Sequence, residues 1–576
     1  MLERLVICGG GKRANAESAL HLALDGRAQN ITLRLEDVSK RLVANVPDLL
    51  IDLVEIATYV YCADQATGRG GEAQAGMGSD WRRSFRFIIP VRRPDHWNHP
   101  KVLGALCDAV SFLSEDDYEF EFVKATDPTE LANYFELTED WGSFKADEVV
   151  LFSGGLDSLS GAIEELSDGR KNVVLVSHRS SPKIFGYQRL LVEELKRRFP
   201  KRLMHVPVLV TRRGPLPVRE YTQRSRSFLY AALACAVAQL FANNKIRFFE
   251  NGVVSINLPI AEQVVGARAT RTTHPLVLEL FRKFFGAAIG ARFEVENPFV
   301  WKTKAEVIRS IVDHGCGTLI KHTVSCTRSY DITRLHTHCG CCSQCLDRRF
   351  GVIAAGAAEH DPAEMYKIEL LTGGRERPSD QTMAEAYVRT SLELRQIDER
   401  AFFDRFSGET SRVCSGFPAQ KSDDIASQVL GLHQRHGEAV GEVLTNAVKD
   451  HSAELVSGGV VASSVLAMAV VPGRVPTLSR VGSGSQALKT WPNRDPKSAM
   501  VEGPAVHYDA PRRGAKNRPT LERARGAVEE LYPDGVPPQS AEPNANLCRR
   551  VGEKLKKSGL PNVSNDTILR AAGRRK

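Results

Sequence analysis

A short segment of small and polar residues has the composition of a phosphate-binding loop. Its members are Ser153, Gly154, Gly155, Leu156, Asp157 and Ser158. The apolar run 149–152 precedes it and apolar residues at helical spacing follow it, so the sequence predicts a buried strand, a tight turn and a helix. Glycine lets the backbone approach an anion, and free amides at a helix start favour phosphate oxygens. We expect the serine hydroxyls to donate hydrogen bonds to phosphate and Asp157 to bind magnesium.

The loop lacks the Gly-Lys-Ser/Thr ending of a Walker P-loop, so cleavage of a γ-phosphate is not expected. Its SGGxDS pattern resembles the signature of PP-loop ATP pyrophosphatases. The resemblance implies that the loop holds the pyrophosphate end of ATP while a substrate oxygen attacks the α-phosphate and forms an adenylate. A plain polar turn is the alternative for a Ser-Gly-Gly segment, and Asp157, Ser158 and the strand-to-helix position argue against it.

Four of the twelve cysteines predict a metal site. These four are Cys326, Cys339, Cys342 and Cys345, of which the last three form a CxxCxxC run. Four thiolates at this spacing favour a tetrahedral structural zinc, which leaves no open coordination position for catalysis. Cys341 interrupts the run and is expected to point away, and His336 and His338 are alternative ligands. A cluster of free thiols in a reducing compartment is the other interpretation.

The SGGxDS loop together with a later CGxCxxCxxR segment resembles the QueC family of 7-cyano-7-deazaguanine synthases over residues about 145 to 350. The helix around Gln188 and the segment 303–306 are also similar to elements of that family. Arg226, which precedes a long apolar run, is similar to a nucleotide-contacting arginine of the family. The added flanks resemble those of QueC-like proteins in bacterial antiviral operons.

The resemblance implies a set of site residues. For nucleotide binding they are Ser153, Gly154, Gly155, Leu156, Asp157, Ser158 and Arg226; for catalysis they are Asp157, Ser158, Lys304 and Arg271. Positive groups near the α-phosphate stabilise the charge that builds up there, and Arg268 is a further candidate. The resemblance also implies ATP, magnesium and zinc as cofactors. The substrate is then 7-carboxy-7-deazaguanine, the acceptor ammonia, and the products 7-cyano-7-deazaguanine, AMP and pyrophosphate.

The segment 251–275 departs from the aspartate-rich substrate loop expected of a housekeeping synthase. Arg268, Arg271 and His274 fall within seven positions there, among threonines that can donate and accept hydrogen bonds. Such a segment could bind a carboxylate or an adenylate phosphate. We expect retained deazaguanine activation, with either ammonia or a protein amine as acceptor, and therefore a homo-oligomer or an operon-encoded protein partner.

Alternating strand and helix patterns from Glu148 predict an α/β fold of the PP-loop (HUP-like) type, with a parallel sheet covered by helices on both faces. Residues 1–140 predict a mixed α+β accessory domain of unknown role, and 145–360 the PP-loop domain with its zinc knuckle. A helical extension is expected over 361–450, a flexible linker over 451–513, and a small helix-turn-helix module over 514–576.

The composition is that of a globular protein, with 42% hydrophobic and 25% charged residues and a net charge of +8. No signal-peptide pattern or membrane-spanning run is present, so we expect a cytoplasmic protein without membrane association. The expected basic face of the C-terminal module consists of Arg549, Arg550, Lys554, Lys556, Lys557, Arg570, Arg574 and Arg575, around a helix capped by Ser564. DNA contact by this module, with the PP-loop domain as a nucleotide sensor, is the alternative function.

Overall fold

A computed structural model describes most of the chain. The described residues are 3–9, 19–39, 47–69, 82–126, 135–138, 144–179, 181–213, 216, 220, 223–259, 271–328, 333, 335–470, 519–533, 536–537, 542–558, 563 and 565–572. They divide into two compact units, Met1–Arg480 and Val481–Lys576. None of the described helices combines the length and the apolar character that crossing a membrane requires.

The strands of the first unit form two sheets. They are β1 Glu3–Cys8, β2 Leu20–Leu22, β3 Ile31–Ser39, β4 Ser84–Val91, β5 Asp117–Lys124, β6 Phe135–Thr138, β7 Glu148–Leu151, β8 Val173–His178, β9 Leu203–Arg212, β10 Lys245–Arg247 and β11 Glu294–Glu296. The smaller sheet has the order β2-β1-β4-β5, with all neighbours parallel. The larger sheet has the order β11-β10-β7-β8-β9-β3-β6.

Helices follow most strands. In the first unit they are α1 Asp48–Ala66, α2 Pro94–Trp97, α3 Pro100–Ser114, α4 Leu156–Ser167, α5 Pro182–Arg198, α6 Arg226–Leu240, α7 Gly252–Ile256, α8 Pro275–Ile289, α9 Lys304–Asp313, α10 Ser343–Ala354, α11 Pro378–Gln396, α12 Glu399–Ser415, α13 Ser422–Asp450, α14 Ser452–Val456 and α15 Val465–Val470. In the second they are α16 Pro519–Leu531, α17 Asn544–Lys557 and α18 Asn565–Ala571.

The larger sheet is covered on both faces, as the sequence predicts. Every residue of β7 and β8 is buried, because their apolar runs face a hydrophobic core on each side. On one side Val150 packs in a core with residues of α4, α5 and α9, such as Ile163 and Ile308. On the other side Val149 shares a core with α1, α6 and α8. The α/β fold with helices on both faces is therefore confirmed.

The N-terminal region joins the larger sheet directly. β3 pairs antiparallel with β9, with Leu33 opposite Val210, and parallel with β6. The core behind β7 also contains Ile56 of α1 and Phe87 of β4. The boundary expected near residue 140 thus falls within one compact unit, because strands distant in sequence pair across it and bury a shared core.

The helical extension is present as α11 to α13 and packs on the PP-loop region. Tyr387 of α11 and Val440 of α13 share a core with Phe350 of α10. The segment expected to be a linker begins with ordered structure, since Val465 and Leu466 of α15 are buried in the same core. Residues 471–518 lie outside the described part.

The second unit is a small helical module. Its core includes Ala524 and Val528 of α16, Leu547 and Val551 of α17, and Ile568 of α18. These are the apolar positions that recur at helical spacing in the sequence, so the predicted helices are confirmed. The expected cap, residue 564, lies outside the described residues.

Candidate nucleotide site and cysteine cluster

The glycine-rich loop lies at the carboxyl end of β7 and leads into α4. Gly154 has a φ of +79°, a conformation that side-chain-bearing residues rarely adopt, and a Cβ there would lie 2.9 Å from Gln188 Cγ. Gly155 occupies the position before the first turn of α4, and no side chain caps it. No capping side chain therefore accepts from the first backbone amides of α4. Phosphate binding at a helix start requires these amides to be free of such a cap.

Hydrogen bonds among the loop residues fix the two hydroxyl groups. Ser153 Oγ and Ser158 Oγ lie 3.1 Å apart, and Ser158 Oγ donates to Gly155 O at 3.0 Å. Gly155 N donates to Ser153 Oγ at 3.2 Å. From α5, Gln188 Nε2 donates to Ser153 O at 3.0 Å. The loop is thus preorganised, with both serines on the same side of the turn as the start of α4.

Asp157 belongs to a buried polar network below the loop. Lys304 Nζ contacts Asp157 Oδ1 at 2.9 Å and Oδ2 at 2.8 Å, and it lies 3.2 Å from Asp347 Oδ2. Asn251 Nδ2 donates to Asp157 Oδ2 at 3.1 Å and to Asp347 Oδ2 at 3.4 Å. These side chains come from α4, α9, α10 and the residue that caps the start of α7, so the network connects four elements.

The charges of this network depend on one another. Burial alone would lower the pKa of Lys304, but Asp157 and Asp347 outweigh it and the pKa is raised, so the ammonium stays charged. Burial raises the pKa of Asp347, which Lys304 partly offsets. Burial likewise raises the pKa of Glu250, although the Thr273 hydroxyl donates to its carboxylate. The ammonium of Lys304 is therefore surrounded by three carboxyl groups, those of Asp157, Asp347 and Glu250.

Local sequence explains why Lys304 reaches Asp157. Thr303 and Glu306 form a capping box that fixes the start of α9. The stem of Lys304 crosses α10 at Gly351, where a Cβ would lie 2.4 Å from Lys304 Cγ. A glycine is needed there, because any larger side chain would occupy the space of the lysine stem.

Arg226 lies near the carboxyl ends of the strands of the larger sheet, where the glycine-rich loop also lies. It begins α6, whose start is held by Asp64 Oδ2, which accepts from Ser225 N at 3.0 Å and from Ser225 Oγ at 2.8 Å. The Arg226 guanidinium donates to Tyr230 Oη at 3.3 Å. The Tyr230 ring meets the ring of His178, the last residue of β8, with centroids 5.5 Å apart. Residues of the N-terminal region thus position this arginine.

Arg271 has its partners away from the loop. Its guanidinium forms an ion pair with Glu115 and donates to Phe112 O at 3.0 Å. His274 caps α8 with its ring nitrogen, and burial lowers the pKa of this imidazole to about 3, so it is neutral. The structure therefore does not bring Arg271 into the Asp157 network, and Arg268 lies outside the described residues. A catalytic role for Arg271 stays a prediction.

The four predicted zinc ligands converge. The sulfur atoms of Cys326, Cys339, Cys342 and Cys345 all lie within 4.8 Å of one another. Cys345 Sγ is 3.8 Å from Cys339 Sγ and 3.4 Å from Cys342 Sγ. Tetrahedral zinc with Zn–S bonds of about 2.3 Å places its sulfurs about 3.8 Å apart, so the cluster fits such an ion.

The neighbouring candidate ligands stand outside the cluster. Cys341 Sγ accepts from Arg328 Nη1 at 3.0 Å, and Arg328 in turn pairs with Asp380. The His338 ring stacks on Tyr366, with centroids 4.9 Å apart. Neither His336 nor His338 is part of the four-residue group found among the described residues.

Three residues of the network, Glu250, Asn251 and Asp347, were not among the predicted site residues. Asn251 directly follows Glu250 in the segment between β10 and α7, and polar residues that follow a parallel strand at its carboxyl end commonly contact ligands. Asp347 lies two residues after Cys345, on the same helical face as Gly351 four positions later. The position of Asn251 after a strand and the helical spacing of Asp347 and Gly351 can be read from the sequence. Neither observation identifies Lys304 as a member of the same network.

One family model matches the chain. Residues 273–356 match QueC, described as queuosine biosynthesis protein QueC. The matched segment contains Lys304, Asp347 and the four clustered cysteines, and it lies C-terminal to the Ser153–Ser158 loop. No curated protein matches the chain.

Proposed function

Since the chain contains a QueC-like domain, and with it the features of an ATP-using PP-loop enzyme of queuosine-type chemistry, we propose that it adenylates 7-carboxy-7-deazaguanine. In the first step a carboxylate oxygen of the substrate attacks the α-phosphorus of ATP. The bond from the α-phosphorus to the bridging oxygen breaks, and pyrophosphate leaves with the electron pair. The product is an acyl adenylate.

Ammonia then attacks the carbonyl carbon, AMP leaves, and loss of a proton gives an amide. The amide oxygen then attacks the α-phosphorus of a second ATP and pyrophosphate leaves; loss of AMP and of the two amide protons gives the nitrile of 7-cyano-7-deazaguanine. A protein amine in place of ammonia would stop the sequence at an amide that joins the deazaguanine to the protein. This second outcome has support from the segment 251–275, which departs from the housekeeping pattern.

The chain's own residues supply binding and charge. The amides at the start of α4 and the hydroxyls of Ser153 and Ser158 would bind the pyrophosphate oxygens. Asp157 would hold magnesium, which supplies positive charge beside the phosphates. Lys304 and Arg226 would stabilise negative charge near the α-phosphate. The observation that carries the proposal is this loop, set at the carboxyl end of β7 with the Asp157–Lys304 pair beneath it.

We predict AMP and pyrophosphate as the nucleotide products, because the loop lacks the lysine of a γ-phosphate-cleaving P-loop. The full chain would be incubated with ATP, magnesium, 7-carboxy-7-deazaguanine and ammonium, and the products separated by chromatography and mass spectrometry. A parallel reaction would replace ammonium by proteins encoded beside this chain. ADP as the main product would contradict adenylation, and a protein gaining the mass of a deazaguanine would favour the protein acceptor.

A DNA-binding role is the alternative of another class, and the second unit allows it to be separated from the ATP chemistry. Several of its basic residues have acidic partners: Arg549 pairs with Glu553 at 3.2 Å and Lys554 with Glu530 at 2.7 Å. These exposed pairs leave the side chains available to phosphate, since surface ion pairs contribute little stability. All proposed ATP-site residues lie in the first unit.

Removal of residues 514–576 is therefore expected to leave the AMP-forming rate within about twofold of the full chain, since no site residue is lost. A matched shorter chain ending at residue 451 would also lack α15, whose Val465 and Leu466 are buried within the first unit, and should unfold at a lower temperature. Rates and thermal unfolding would be measured on both. An inactive but folded 1–513 chain would show that the tail takes part in the reaction.

A further inference from the structure

The Lys304 ammonium contacts two carboxylates. Asp157 receives two contacts, at 2.9 and 2.8 Å, and Asp347 lies at 3.2 Å. The lysine side chain is 3% exposed, so water cannot substitute for these partners. A cation that binds Asp157 must therefore compete with an ammonium that is already bound to it.

Asp347 is the partner that can keep the ammonium when Asp157 is shared. It reaches Lys304 from a different helix, α10, whose first turn is anchored by Cys342 and Cys345. Gly351, on the same helical face, gives the lysine stem its space. The CGxCxxCxxR pattern does not specify the residue at position 347, which is aspartate in this chain.

We propose that Asp347 is a positioning residue that holds the Lys304 ammonium while Asp157 turns its carboxylate to the magnesium ion that accompanies ATP. The inference rests on the proposed ATP-dependent function. A single carboxylate would leave Lys304 and magnesium in direct competition for Asp157. With two carboxylates the ammonium keeps a charged partner throughout, and the buried charge of Lys304 is never left unpaired.

Asp347→Asn keeps the size of the side chain but removes its charge, so Lys304 would depend on Asp157 alone. We expect the divalent-ion concentration for half-saturation to rise about tenfold, the change typical of losing one hydrogen bond to a charged group. The rate at saturating magnesium should stay within about threefold, because every group that contacts ATP is retained. Asp347→Glu, which keeps the charge, should recover most of the affinity.

Two measurements on the zinc-loaded full chain test this. One is a magnesium titration of AMP formation; the other is manganese binding, followed by electron paramagnetic resonance with α,β-methylene-ATP, which needs no turnover. Asp380→Asn is the control, because Asp380 lies close to the same cysteines but pairs with Arg328 and not with Lys304.

An unchanged half-saturation in Asp347→Asn, or an equal shift in Asp380→Asn, would overturn the proposal. A lower melting temperature with unaltered ion affinity would likewise show a merely structural role and overturn it. If the unmodified chain forms no AMP, the proposed reaction fails, whereas manganese binding still decides whether Asp347 acts on Asp157.

Discussion

Asp157→Asn is expected to reduce AMP formation by about a hundred- to a thousandfold, the effect usual when a group that governs charge at a reacting phosphate is removed. The substitution keeps the shape of the side chain but removes the charge of the proposed magnesium ligand and replaces one of the two oxygens that Lys304 contacts by an amide nitrogen. Lys304 retains Asp347, so we expect a loss of unfolding free energy of only about 1–3 kcal/mol. Initial rates at saturating ATP and chemical unfolding would separate the two effects.

Glu164→Gln is the matched control for this experiment. Glu164 lies in the same helix, α4, and accepts from Lys302 Nζ at 2.6 Å and from Ser310 Oγ. It does not contact the Asp157 network, so its rate should stay within about twofold of the parent chain. Undiminished AMP formation by Asp157→Asn would remove Asp157 from the active site.

The cysteine cluster gives the second large effect. Cys342→Ser should lower the zinc content from one per chain to well below one half, because a structural zinc needs four strong ligands. The same change should abolish AMP formation. We expect this loss of activity because the cluster lies at the start of α10, and α10 contains Asp347 and Gly351, which contact Lys304. Elemental analysis of freshly purified protein and thermal unfolding would measure both.

Cys341→Ser tests whether the neighbouring cysteine, which is not one of the four proposed ligands, contributes to zinc binding. Cys341 is buried in the same segment, but its sulfur accepts a hydrogen bond from Arg328 and is not one of the four converging thiols. This variant should keep one zinc per chain and nearly the parent rate. Loss of zinc from both variants alike, or from neither, would contradict the assignment of the four ligands.

The phosphate loop and the cysteine cluster could be predicted because their geometry is nearly local. Six consecutive residues between a buried strand and a helix define the loop, and three of four metal ligands lie within one short CxxCxxC run. Backbone conformation over such distances follows from glycine, helix start signals and ligand spacing. The alternation of strands and helices predicts the covered sheet for the same reason.

The tertiary structure decided which distant residues meet. Asn251 and Asp347 join Asp157 only because the start of α7 and the first half of α10 come close to the first turn of α4. Arg271, for which the family resemblance predicts a catalytic role, pairs with Glu115 because α3 approaches the start of α8, and that catalytic role stays a prediction. These contacts span roughly a hundred residues or more of chain, and side-chain type alone does not specify a partner at that separation.

The N-terminal region shows most clearly that contacts between residues distant in sequence could not be predicted. Its sequence contains no motif that predicts a function. In the structure, however, Asp64 accepts a hydrogen bond at the start of the helix that begins with Arg226. β3 also extends the sheet whose strand β7 leads into the phosphate loop. The sequence by itself determined the local chemistry of the loop and of the thiols. Only the tertiary structure, by pairing strands and burying charges across the whole first unit, determined which side chains surround that chemistry, because burial and pairing energies depend on neighbours that are remote in sequence.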